Sequence, residues 1–165
     1  MSEDQKMAAP AAGAEGAGPA TEQASVEHLV RDIVRHNISL DYDACGEYSV
    51  NSPSCKKIKE NWRKTLASNP ELIYTIADIY AAFHGGDNEL REVLRAQVVL
   101  MLATWLQRVA KLDAELEEMI GYAYGVLHQH GVLLDVPDEL EELEWYIFAD
   151  WMSIHHTIQF VIDKL

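Results

Sequence analysis

Apolar residues recur at three- and four-residue spacing along most of the chain, the pattern of amphipathic helices, and no alternating apolar/polar run is long enough for a strand. Val26, Leu29, Val30 and Ile33 stripe a first helix from Ser25, its capping residue, to Asn37. A second helix opens with Ser52 as cap and Pro53 in its first turn, and turns Ile58, Trp62 and Leu66 inward. Pro70 opens a third, with Ile73, Ile76, Ala77 and Tyr80 on its buried side and Gly85-Gly86 as its stop.

The fourth helix, Asn88 to Leu112, holds its period through Leu90, Val93, Leu94, Val98, Met101, Leu102, Trp105 and Val109. Val99, Leu100, Ala103 and Leu106 make it apolar nearly all round, as befits a central, buried helix. A fifth runs from Asp113 to His130, with Leu116, Met119, Ile120, Ala123 and Leu127 inward and Gly131 at its end. Pro137 starts a last helix that continues to the C-terminus on the stripe Leu140, Leu143, Ile147, Trp151, Ile154, Ile158 and Leu165. The fold class is therefore all-α, a bundle of about five to six helices. Residues 69–84 and 113–128 also align faintly (Leu72 with Leu116, Ile76 with Ile120, Tyr80 with Tyr124, His84 with His128), as two related helical hairpins would; chance likeness between amphipathic helices gives the same pattern.

Two segments fall outside this periodicity. Residues 1–24 are rich in Ala, Gly and Pro and are expected to be a disordered tail, which leaves 25–165 as a single helical domain. A long connection from Ser39 to Pro53 joins the first two helices.

Composition narrows the function classes. The chain has 165 residues, 48% of them hydrophobic and 24% charged, enough for one core without metals or disulfides. A formal net charge of -14 disfavours non-specific binding to nucleic acid or anionic membranes. The most apolar piece, Val98 to Leu106, is shorter than a membrane span, and the N-terminus lacks the pattern of a secretory signal, so no membrane contact and a cytoplasmic location are expected. Cys45 and Cys55 would then be reduced thiols.

Charge is unevenly placed. Lys56, Lys57, Lys59, Arg63 and Lys64 cluster on the second helix, whereas Leu112 to Asp163 holds twelve acids and no Lys or Arg. Each set reads as a solvated face, with attraction between them, or as a docking surface. Seven histidines raise the question of a metal. None has an acid three residues earlier, so the Glu-x-x-His signature of di-iron bundles is absent. His28, Asp32 and His36 line one side of the first helix, and a zinc site on Cys45, Cys55 and His36 would need ligands at shorter spacing. A disulfide pinning the loop between the two cysteines is the other reading of that pair. Gln97, Thr104 and Asp150 sit on apolar stripes, where a buried acid must be paired or protonated; such a cluster is structural or lines a ligand pocket. No phosphate loop, nucleophile motif or H-E-x-x-H is present.

Trp145, Phe148 and Met152 form a second apolar stripe on the last helix, of the composition that protein interfaces favour. The reading that follows is a non-enzymatic helical accessory or adaptor subunit, without cofactor or metal, that self-associates or binds a protein partner in a larger assembly. One alternative is a small-molecule or metal-binding bundle around Asp150. The other is an RNA-contacting subunit of a nucleoprotein complex, working through Lys56 to Lys64.

Overall fold

In a computed structural model of the chain, the described residues are 19–38, 51–111, 114–150 and 163, without the side chains of 19–25, 149 and 150. They form an all-α bundle with the order α1 (Pro19–Arg35), α2 (Pro53–Ser68), α3 (Leu72–His84), α4 (Asn88–Ala110), α5 (Ala114–Gln129) and α6 (Leu140–Trp145), the last continuing as a π-helical turn over Tyr146–Asp150. No strand occurs among the described residues. Residues 1–18, the loop 39–50 and the predicted continuation of the last helix beyond Asp150 lie outside this description.

α4 is the centre. α3 and α5 pack along it most extensively, α2 and α6 also rest on it, and α1 packs on α3. The reason is the one read from its periodicity: Val98, Val99, Leu100, Leu102, Ala103, Trp105 and Leu106 are all buried, so apolar residues pack on most of its circumference. Asn88–Ala110 is apolar and long enough, by length and composition, to cross a membrane, but half of the apolar window is buried inside the bundle, the pattern of a core helix. Trp62 of α2, Trp105 of α4 and Phe148 of the π turn meet edge to face, with ring centroids 5.5 and 5.2 Å from Phe148.

Local chemistry fixes the ends. The Ser52 hydroxyl accepts from the Cys55 amide at 3.1 Å and Pro53 opens α2, as its sequence predicts. The Asp87 carboxylate accepts from the Leu90 amide at 2.8 Å at the start of α4. α5 closes with a left-handed Gly131 (φ 68), around which the Val132 amide donates to Leu127 O at 2.9 Å and the Gly131 amide to His128 O at 3.1 Å. Gly85 is needed for close approach instead: a Cβ there would lie 2.3 Å from Arg91 Cγ and 2.9 Å from Ala81 O.

Three elements differ from the sequence reading. α1 starts at Pro19 rather than Ser25, because Pro suits the first turn and the following Ala, Glu and Gln favour helix without an apolar stripe. α4 stops at Ala110, where Lys111 turns left-handed (φ 58) before Leu112. The last helix starts at Leu140, not at Pro137, and widens into the π turn.

Candidate interaction surface

The opposite charges of α2 and α6 meet. Lys59 Nζ lies 2.8 Å from Glu144 Oε1, with the two side chains 12% and 11% exposed. Trp105 Nε1 donates to the other oxygen of Glu144 at 3.0 Å, so each carboxylate oxygen has a donor. At the edge of the same contact Asn51 Nδ2 donates to Glu141. Arg63 and Lys64 pair along their own helix with Glu60. Of the basic stripe, Lys59 is thus committed to the bundle, while Lys56, Lys57 and Lys64 face solvent. Glu144 and Lys59 form a site that the sequence reading did not single out. Its signal was the position of Lys59, four residues after Cys55 and three before Trp62, at the rim of the apolar stripe of α2.

Phe148 is corrected by the same geometry. Leu143, Glu144, Ile147 and Phe148 are all buried, and at about 100° per residue they share one broad arc of the helix. Phe148 therefore belongs to the core rather than to a surface stripe with Trp145. Trp145 itself is 38% exposed and meets the equally open Tyr146 edge to face at 5.2 Å. Met152 lies outside the described residues, as does the side chain of Asp150. Gln97 and Thr104 are half-buried on α4.

Two polar clusters tie α4 to its neighbours. Arg95 pairs with Asp78 of α3, donates to Tyr122 Oη of α5 at 2.6 Å, and lies over the rings of Tyr74 and Tyr122 at 4.9 and 5.6 Å. His130, just past α5, sits between two carboxylates of α4, with Nδ1 3.2 Å from Glu89 and Nε2 2.7 Å from Glu92. The hydrogen bond with Glu92 is the main cause that raises its pKa, because both ring nitrogens can donate only in the imidazolium form.

On the first helix, Asp32 is bound to Arg35 at 2.7 Å, and its backbone carbonyl lies 2.8 Å from His36 Nδ1. Among the described residues no three His, Cys, Asp or Glu side chains converge as metal ligands would. Cys55 is fully buried and disulfide-bonded, in contrast to the reduced thiol expected of it; the chain's other cysteine, Cys45, lies outside the described residues.

What remains open is the far side of α5. After the turn at Gly131, residues 132–136 run beside the helix without regular structure, with Val132, Leu134 and Val136 half-buried and Leu133 and Asp135 outward. Between the helix and this segment runs a groove of about 750 Å³, lined by Tyr124, Leu127, His128, Leu133, Leu134 and Asp135. Leu133 is 97% exposed and Tyr124 49%. Gly121 and Gly125 lie on the exposed side of α5, and a Cβ on either would meet nothing within 4 Å. Glycine inside a helix costs roughly 1 kcal/mol relative to alanine, and here the bundle itself gains nothing in return.

No family model, curated protein or solved structure matches the chain.

Proposed function

We propose that this chain is a non-enzymatic helical accessory subunit that binds another protein through the groove between α5 and residues 132–136. The observation that carries the reading is Leu133, a large apolar side chain held almost wholly in solvent beside Tyr124 and an apolar cleft. The segment that presents it is no loose end. Arg108 donates to the carbonyls of Pro137 and Asp138 at 2.9 and 3.2 Å, and the turn at Gly131 secures the other end. An exposed apolar cleft held on a fixed frame and rimmed by polar residues is what interaction sites offer. This places the contact on α5 rather than on the Trp145, Phe148 and Met152 stripe of the last helix, since Phe148 is spent in the core.

The test is a comparison of the full-length chain and its Leu133→Ser variant, each purified under mild conditions from the cells that make it. The wild type is expected to elute with a stoichiometric protein partner that the variant loses, while the melting temperatures of the two chains agree. A wild-type chain that elutes alone, or a partner that both forms retain equally, rejects the reading.

A further inference from the structure

We propose that the occupant of the α5 groove is an amphipathic helix of another protein whose apolar stripe is flanked by Lys or Arg; this rests on the interaction-surface reading above. The apolar part of the argument is shape. Leu127, Val132 and Leu134 form the walls, and Tyr124 and Leu133 stand up from them as anchors. Beside Tyr124, Gly121 and Gly125 leave the α5 backbone uncovered, so a helix axis can approach there more closely than over any other residue type. Apolar anchors at helical spacing in a groove of this kind are how helix-in-groove recognition works.

Charge selects the flanks. Glu117 lies on the same face of α5 as Gly121 and Tyr124, four and seven residues on, and Asp135 belongs to the groove lining. From Leu112 to Asp163 the chain has twelve acids and no Lys or Arg. Two arginines of α4 reach this region, and both are committed: Arg108 to the Pro137 and Asp138 carbonyls, Arg95 to Asp78 and Tyr122. Among the described residues the groove is lined by Asp135 and His128 but by no Lys or Arg, so a partner with basic flanks is favoured over one with acidic flanks.

The same charges argue against a second copy. A two-fold contact through this face would bring the acidic surroundings of two copies together, and among the described residues no Lys or Arg lines the groove. A head-to-tail contact onto Lys56 and Lys57 would have to close as a ring or run on as a filament. Anionic lipid and nucleic acid are repelled for the reason that favours the basic helix.

The probe is a pair of stapled helical peptides with one leucine stripe in common, one flanked by lysines and the other by glutamates. Each is titrated into the isotopically labelled full-length chain at physiological salt, and backbone amide shifts are followed. The lysine peptide is expected to move amides within 117–136 and to bind at least about tenfold more tightly than the glutamate peptide. In the Gly121→Gln/Gly125→Gln variant the added Cβ atoms meet nothing within 4 Å and both positions are exposed, so the fold is expected to be kept, checked by its melting temperature, while the affinity for the lysine peptide falls at least about tenfold. Equal affinity for the two peptides, shifts centred on α6 or α2 instead of α5, or undiminished binding by the glutamine variant overturns the proposal. Should the peptides fail while Leu133→Ser still releases a natural partner, the partner docks by another kind of segment and only the basic helix is wrong. Should no natural partner exist, the surface reading itself falls.

Discussion

Glu144 is the one acid of its run that turns inward, and its two oxygens are shared between Lys59 and the indole of Trp105. A buried pair of this kind adds little net stability, but half of it is costly because the remaining charge keeps its desolvation penalty. Lys59→Met is expected to destabilise the chain by about 3 kcal/mol and to lower its melting temperature by on the order of 10 °C. Adding Glu144→Leu should recover at least about 1 kcal/mol of that loss, because the stranded carboxylate is gone. A double variant no more stable than the single one in thermal denaturation would contradict the pairing. His130 supplies a pH dependence of the opposite kind to an ordinary carboxylate. Its pKa is raised in the fold, so its contribution is fully present below its unfolded value of about 6.5 and is lost as pH rises through the higher folded value. The melting-temperature gap between wild type and His130→Asn should therefore be widest in mild acid and narrow as the solution turns alkaline. A gap that widens towards alkaline pH would show that Glu89 and Glu92 do not hold the charged ring.

At the scale of elements, most of the bundle could be read from the 3.6-residue period. α2, α4 and α5 lie within a residue or two of where their caps and stripes predict, and the central role of α4 follows from its apolar girth. What escaped the period is physical. The first turns of α1 have helix propensity but no buried stripe, and period-based reading is blind to that. A second apolar stripe through Phe148 fits a helix inside the bundle as well as one that contacts another chain; Phe148 is buried, in a broad arc that includes a paired acid. The groove beside α5 was not legible at all: it depends on the chain turning back at Gly131, so that an irregular segment and a helix, neither unusual alone, enclose a cleft. The glycines of α5 carry a prediction here. Gly121→Ala and Gly125→Ala should each stabilise the isolated chain by up to about 1 kcal/mol, because an alanine methyl meets nothing at either position. Destabilisation by both, seen in chemical denaturation, would mean that the bundle uses those glycines after all.

Across the whole molecule the charge pattern divides in two. Lys59 of the basic stripe of α2 is drawn into the fold by Glu144, while from Leu112 to Asp163 the net −14 chain carries acids and no Lys or Arg. An RNA contact through Lys56 to Lys64 would have to make do without Lys59, which Glu144 holds in the bundle. A helical scaffold with an open, partly apolar cleft fits the proposed role of receiving another protein. Hydrogen–deuterium exchange on the complex isolated from the native cells, compared with the chain alone, tests that claim most directly. Protection is expected in the second half of α5 and in residues 132–136, with α2 unchanged. Protection confined to α2 or to α6, with α5 exchanging as in the free chain, would contradict it.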